Sequence, residues 1–188
     1  RSIVNSVVRP WLLENYDLPE DFQKEPKFRR LVRLASVKAE QAKIDLSTRD
    51  TAQIFVAEEE ARVDDASGQE IYIDIPLTRS RLEELTRDRI DTSIELCRKI
   101  LTDNGLSHDD IDRLVFIGGP SKMPSIRERV PRELGIAPDL RTDPMTAVAR
   151  GAAIFAESRD WQQTGGSARK ATRGSKKTSS AIGVSYDF

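Results

Sequence analysis

The fold is decided by the stretch Leu114-Val115-Phe116-Ile117-Gly118-Gly119-Pro120-Ser121-Lys122-Met123-Pro124. Its apolar residues lead directly into two glycines, which predicts a buried parallel strand that ends where the backbone approaches a ligand closely. Proline suits the first helical position, so the next helix is expected to begin at Pro124. A strand, a glycine turn and a helix N-terminus together form the arrangement that binds nucleotides in open α/β sheets.

Two further motifs accompany this stretch. The first begins with Asp143, a good N-cap, and Pro144, which suits the first turn of a helix. Small residues follow and predict close packing against a neighbouring element: Ala147, Ala149, Gly151, Ala152 and Ala153. The second lies upstream and reads Lys38-Ala39-Glu40-Gln41-Ala42-Lys43-Ile44-Asp45-Leu46-Ser47.

Together these motifs resemble the end of the nucleotide-binding domain of the seventy-kilodalton heat-shock (DnaK-type) chaperones, over residues 1–157. In that family a strand ends in Gly-Gly-Ser, an Arg-Met/Ile-Pro follows, and the last helix begins Asn-Pro-Asp-Glu-Ala-Val-Ala and continues Gly-Ala-Ala. The upstream motif resembles the family's adenosine-contacting helix, which reads Ala-Glu-Lys-Ala-Lys-Ile-Glu-Leu-Ser in bacterial members. The resemblance implies an α/β fold: the second lobe of an actin-like (ribonuclease H-like) ATPase domain, from a divergent bacterial-type member.

The pattern along the chain predicts helices and strands that fit this lobe. The expected helices are 2–16, with a kink or break at Pro10, 27–47, 80–104, 124–134 and 144–158; the expected antiparallel pair is 51–57 with 71–77. The resemblance implies four parts: a linking helix at 1–17, an outer α+β subdomain at 18–90, part of the inner α/β subdomain at 91–160, and a basic linker at 161–188 in which a following β domain starts. Alternating apolar residues predict a strand at 179–188.

Four residues of the upstream helix are candidate nucleotide ligands. Glu40, Lys43 and Ser47 share one helical face by their spacing, and the resemblance implies that they hold the ribose and the adenine edge. Ile44 would pack against the base. From the residues alone, an exposed Glu–Lys pair and a core isoleucine are the alternatives.

The glycine turn supplies the other four candidates. The backbone of Gly118 and Gly119 could lie directly against a phosphate or the ribose of a nucleotide. The alternative is a strand-to-helix turn that packs on itself and binds nothing. The resemblance implies that Ser121 and Lys122 flank the adenine. No residue of the chain is a candidate catalytic group or metal ligand.

Three positions depart from the family pattern. Lys122 stands where most members have arginine, whose plane can stack on a base. Pro120 replaces a serine whose hydroxyl reaches the base, and Met145 replaces an aspartate near the nucleotide. These departures motivate an alternative function, an interaction or docking module with degenerate nucleotide binding. A filament-forming or sugar-kinase relative is a third reading, which the match at 38–47 disfavours.

Composition and charge exclude other kinds of site and partner. No segment is long and apolar enough to span a membrane, and a single cysteine, Cys97, fits a reducing, cytoplasmic setting without disulfides. His108 is expected in a solvated loop, Asp64 and Asp65 in a turn, and Glu58–Glu60 at a solvated strand end. The tail carries basic residues without interleaved aromatic ones, which favours a linker over a nucleic-acid site: Arg169, Lys170, Arg173, Lys176 and Lys177.

The resemblance also implies that the parent protein is a chaperone-like protein that assists protein folding through a cycle of ATP hydrolysis. ATP and ADP would be its cofactors, with Mg²⁺ held by parts of the parent that are absent here. Its partners would be unfolded polypeptide clients and nucleotide-exchange or J-type co-chaperones. We expect this chain, which begins at Arg1, to be a piece of a longer one. It lacks the phosphate loops of the family and is not expected to hydrolyse ATP alone, since phosphoryl transfer depends on positioning and charge stabilisation.

Overall fold

The computed structural model describes residues 2–163, and their side chains as far as Glu157. The chain divides into two compact units: residues 2–91 with Met123–Ser125, and residues 92–122 with 126–163. The predicted strand at 179–188 and most of the predicted linker lie outside the described residues.

The first unit begins with two joined helical segments and a long helix. A π-helical turn, Val4–Val8, runs directly into α1 (Arg9–Asn15). Pro10 lies in the first turn of α1, where its missing N–H is tolerated. The kink or break predicted at Pro10 is therefore seen as the π-helical turn that precedes α1. After short 3₁₀ turns, α2 covers Arg29–Asp45, which confirms the helix predicted at 27–47.

A two-stranded antiparallel sheet completes the core of this unit and confirms the predicted pair. Strand β1 (Thr51–Val56) lies beside β2 (Ile73–Thr78), with Thr51 opposite Thr78. Helix α2 packs on β1. The helix stripe and the inward face of the sheet are buried together: Leu31, Ala35, Ala39, Ala42, Ile54, Val56, Ile73, Ile75 and Leu77. Because side chains alternate along a strand, the other face exposes Phe55.

Two local predictions in this unit are wrong. Glu58–Glu60 do not end a strand but form the first turn of the short helix α3 (Glu58–Ala61). Carboxylates are stabilised there by the positive end of the helix dipole. The sequence Ser80-Arg81-Leu82-Glu83 predicts a capping box at the start of the next helix, but this helix, α4 (Arg79–Asp103), begins one residue earlier and Ser80 does not cap it. The Arg81 N–H donates instead to Thr78 Oγ1 at 3.2 Å, so the last residue of β2 provides the cap.

Helices also dominate the second unit, and the predicted ends of the helices at 80–104 and 124–134 are confirmed. The end of α4 meets Gly105 at φ +65°, and α5 (Pro124–Leu134) begins at its proline and ends at Gly135 with φ +71°. Ile126, Val130 and Leu134 form the buried stripe of α5. The last helix, α6 (Ala147–Gln163), begins three residues later than predicted, because residues 144–146 form a turn first.

The buried strand predicted at 114–117 is not present among the described residues. Only Leu114 pairs in parallel, as an isolated bridge to Pro138, while Val115 and Ile117 are 46% and 55% exposed. A parallel strand is buried only when neighbouring strands and helices cover it. Here the segment around Pro138 pairs with Leu114 alone. The small residues of α6 likewise lack the predicted close neighbour: a Cβ added at Gly151 would meet no atom within 4 Å in the described part of the chain.

Candidate functional site

The C-terminal end of α2 brings four candidate residues to one outward surface. Glu40 Oε2 lies 2.8 Å from Lys43 Nζ, and the Glu40 side chain is 58% exposed whereas that of Lys43 is 13% exposed. Ile44 is 53% exposed, so the alternative of a core isoleucine is wrong. Ser47 follows the helix end, and its N–H donates to the Ile44 carbonyl at 3.0 Å. The opposite stripe of α2 is buried against the sheet, which leaves Glu40 and Ile44 facing outward.

Arg79 fixes the turn that carries Ser47, and the sequence analysis missed it. Its Nε donates to the Leu46 carbonyl at 3.0 Å and its Nη2 to the Arg49 carbonyl at 2.8 Å. Its Nη1 lies 2.8 Å from Asp50 Oδ1. One guanidinium thus ties the end of α2 to the start of β1, because its planar fork can reach three oxygens at once. These partners are about thirty positions away in sequence, and no local motif marks them.

The glycine turn is held by its own polar groups. Gly118 has φ +87°, a conformation that suits glycine. Its N–H donates to the Pro144 carbonyl at 2.9 Å, and its carbonyl accepts a hydrogen bond from Ser121 Oγ at 2.6 Å. Both backbone polar groups of Gly118 are therefore engaged inside the unit, so its role in the structure is to make the turn. A Cβ added at Gly119 would meet no described atom within 4 Å, so the surface there is open.

Ser121 and Lys122 have opposite environments in the 3₁₀ helix Gly119–Lys122. Ser121 is 2% exposed, its hydroxyl is bonded inward, and its carbonyl accepts a hydrogen bond from Arg127 Nε at 3.0 Å. Lys122 is exposed. Of the two predicted ligands in this turn, only Lys122 presents its side chain to solvent. Arg127, which sequence reasoning missed, anchors the turn from α5.

The turn before α6 lies beside the glycine turn, because the Pro144 carbonyl accepts the Gly118 hydrogen bond. Asp143 holds this second turn together: one carboxylate oxygen accepts the Met145 N–H at 3.1 Å and the other accepts the Thr146 hydroxyl at 3.3 Å. Met145 is 58% exposed. The two adjoining turns therefore present the thioether of Met145 and the ring of Pro120. Charged or hydroxyl side chains at these positions could make hydrogen bonds to a ligand, whereas these two groups offer little for such bonds.

Other titratable residues take structural positions. Asp65 accepts hydrogen bonds from Ser67, from Asp17 and from Gln69, and these lower its carboxyl pKa to about 2. Asp65 lies in the predicted turn, which is closed by an isolated antiparallel β-bridge between the backbones of Asp64 and Glu70. His108 is half exposed in a 3₁₀ turn beside Asp109, as predicted. Within the described residues, no cluster of three histidine, cysteine or acidic side chains could hold a metal ion.

None of the described helices is both long enough and apolar enough to cross a membrane.

Comparisons with known proteins identify relatives of the chain. The family described as Hsp70 protein matches residues 4–160. Two curated relatives are each 33% identical over 153 residues: a chaperone protein dnaK1 of Synechococcus elongatus and a chaperone protein DnaK 3 of a Synechococcus species. Each match covers 81% of this chain and 23% of the relative, so the chain spans about a quarter of the length of these proteins.

Proposed function

The chain belongs to the Hsp70 family, and on that premise we propose that it forms the second lobe of a nucleotide-binding domain in a chaperone-related protein. Membership implies the actin-like ATPase fold. Residues 18–90 would form the outer subdomain of the lobe and residues 91–160 part of the inner one. The observation that carries the proposal is the preformed pair of the exposed Glu40 and the largely buried Lys43 beside the exposed Ile44.

This group of side chains suits a ribonucleoside. The Glu40 carboxylate can accept hydrogen bonds from two adjacent ribose hydroxyls, and the Lys43 ammonium can donate to their oxygens. Ile44 offers an apolar surface to the face of a base. The Lys43 side chain is 13% exposed and already pairs with Glu40, so its position is fixed before a ligand arrives, and Ile44 provides an exposed apolar surface beside it.

Within the second unit, the open backbone at Gly119 and the cation of Lys122 are also proposed nucleotide contacts. ATP and ADP are the proposed ligands. Mg²⁺ would be held elsewhere in the parent protein, which we propose to hydrolyse ATP and to act in the cytoplasm. Unfolded polypeptides, nucleotide-exchange factors and J-type co-chaperones are its proposed partners, as the family membership suggests.

Calorimetric titration of the full-length protein with ATP and ADP tests the proposal. We expect micromolar binding that Lys43→Ala weakens by about 10-fold or more, because a hydrogen bond to a charged group contributes about 1.5–3 kcal/mol. The matched control is Lys24→Ala, since Lys24 also pairs with a carboxylate three residues away, Asp21, but at an exposed position. Absence of ATP and ADP binding, or equal weakening by both variants, would contradict the proposal.

A docking module without nucleotide cycling is the second candidate. It is favoured by the internal bonding of Gly118 and Ser121, which leaves few groups in the turn for a ligand. The docking surface would be the outward face of the sheet around Phe55, which is 48% exposed. Failure of the titration would favour this candidate.

A further inference from the structure

A groove of about 450 Å³ lies open to solvent within the first unit. It is bordered by the loop 17–19, by the segment 25–28 and by Ala66. Phe28 immediately precedes α2 and Ile44 lies near the other end of that helix, so about 24 Å of helix separates the groove from the proposed nucleotide contacts of α2. The groove is therefore a separate feature, which the proposed function does not use.

Two acidic residues of the groove are held in place by their backbones. The Asp17 N–H donates to Asp65 Oδ2 at 3.0 Å. Glu25 joins two 3₁₀ turns, because its N–H donates to the Phe22 carbonyl at 3.0 Å and its carbonyl accepts the Phe28 N–H at 3.2 Å. Among the described residues, no lysine, arginine or histidine forms an ion pair with the carboxylate of Asp17 or Glu25. Both carboxylates are thus positioned and available to a cationic ligand.

The rest of the groove is apolar and includes an aromatic ring that already attracts an ammonium. Leu18, Pro19 and the buried Phe28 supply the apolar lining. Lys27 Nζ lies over the Phe28 ring, 5.1 Å from its centroid, where the negative face of the ring attracts a cation. Lys27 is held by this ring and forms no ion pair within the described residues, so it leaves the two carboxylates of the groove unpaired.

The groove has an excess of negative charge. Its lining carries two carboxylates, Asp17 and Glu25, and one ammonium, Lys27, which is a net charge of −1. The Asp65 carboxylate behind Asp17 adds a further negative charge, because hydrogen bonds from Ser67 and other neighbours lower its pKa to about 2. A ligand with two positive charges would balance this charge.

The size of the groove and its few oxygen ligands indicate an organic cation. Its volume lies within the range of about 300–1,000 Å³ that small-molecule sites occupy, whereas a stable protein interface takes about 20–30 residues on each side. A metal ion such as Ca²⁺ needs about 6–8 oxygen ligands, and the described part of the chain has no cluster of three acidic side chains. An alkyl chain with charged ends suits both the apolar lining and the carboxylates.

We propose that this groove binds a polyamine, an alkyl chain that carries ammonium groups. Two ammonium groups of the ligand pair with Asp17 and Glu25, since an ammonium donates strong hydrogen bonds to a carboxylate. The methylene chain lies on Leu18 and Pro19, where burial of apolar surface favours it. The inference is independent of the proposed function, because no residue of the groove is a candidate nucleotide ligand.

Calorimetric titration of the full-length protein with the diamine putrescine and the monoamine butylamine, at constant ionic strength, tests the inference. We expect one saturable site for putrescine and about 3–10-fold weaker binding of butylamine, which can form only one of the two ion pairs. Asp17→Asn and Glu25→Gln should each weaken putrescine binding by a similar factor. The control Glu128→Gln, which changes an exposed carboxylate of α5, should leave it unchanged.

Neither groove substitution removes a side-chain contact within the described residues, so the thermal unfolding midpoint should stay the same and a loss of binding can be assigned to the carboxylates. Equal affinities for putrescine and butylamine would overturn the inference, because two-ended recognition would be absent. Putrescine binding that Asp17→Asn and Glu25→Gln leave unchanged would place the ligand elsewhere and overturn it as well. Tighter binding of a blocked dilysine peptide, which carries the same charge as putrescine, would show that the groove takes a polypeptide instead. Absence of putrescine binding would also overturn the inference and leave the nucleotide proposal untouched.

Discussion

Replacing Arg79 with alanine is expected to lower the free energy of unfolding of the first unit by about 2–4 kcal/mol. Two hydrogen bonds to the Leu46 and Arg49 carbonyls are lost, and each contributes about 1–1.5 kcal/mol at a partly exposed site. The ion pair with Asp50 adds about 0–1 kcal/mol, since that carboxylate is 89% exposed. Arg79→Lys should recover only the ion pair, because an ammonium cannot reach three oxygens in a fork.

Urea unfolding followed by tryptophan fluorescence measures this loss. The chain has two tryptophans, so Trp161→Phe leaves Trp11, whose ring lies 6.1 Å from that of Tyr16, as the reporter of the first unit. The control is Arg81→Ala, which removes only an exposed pair with Glu84 and should cost about 0.2–0.5 kcal/mol. Equal unfolding midpoints for the Arg79 and Arg81 variants, at unchanged denaturant slope, would refute the anchoring role.

The glycine turn and the Asp65 turn give two further predictions. Gly118→Ala should lower the free energy of unfolding by about 1–2 kcal/mol, because the φ of +87° at Gly118 is strained for alanine. Gly119→Ala should change the free energy of unfolding by less than about 0.5 kcal/mol and yet weaken nucleotide binding. Thermal unfolding and calorimetry on both variants check this, and a stable Gly119→Ala that binds normally would contradict backbone approach. The Asp65 pKa is lowered from 3.8 to about 2, so its stabilisation is complete above about pH 4 and is lost as the pH falls towards 2. Asp65→Asn should flatten the pH dependence of stability over that range, and an unchanged acid transition would show that its hydrogen bonds do not depend on charge.

Local patterns predicted the first unit well. The stripe of small and apolar residues fixed which face of α2 is buried, and this face determines that Glu40 and Ile44 lie outward. The alternation of apolar and polar residues in β1 and β2 predicted the antiparallel pair, because a strand has only two faces and one of them is buried. Phe55 lies on the outer face. Gly105 marked the end of α4, since a left-handed terminal residue suits glycine.

Features that depend on distant partners could not be predicted in this way. Val115 and Ile117 have the composition of a buried strand, but burial depends on which neighbours lie alongside, and the described residues supply a single bridge at Leu114. The three contacts of Arg79 link segments far apart in the sequence. The inward rotation of the Ser121 hydroxyl follows from the local geometry of the turn, which residue identity leaves open.

The candidate residues of α2 and those of the glycine turn differ in how far their polar groups are already used within their own unit. On α2, the carboxylate of Glu40 is exposed and the ammonium of Lys43 is already placed beside it, so a ribose would meet oriented partners with little reorganisation. In the glycine turn, the Gly118 N–H and the Ser121 hydroxyl already donate within the unit, so a base could accept from them only if these hydrogen bonds were replaced. Binding of a ribose at α2 would therefore require less rearrangement of existing hydrogen bonds than binding of a base at the glycine turn.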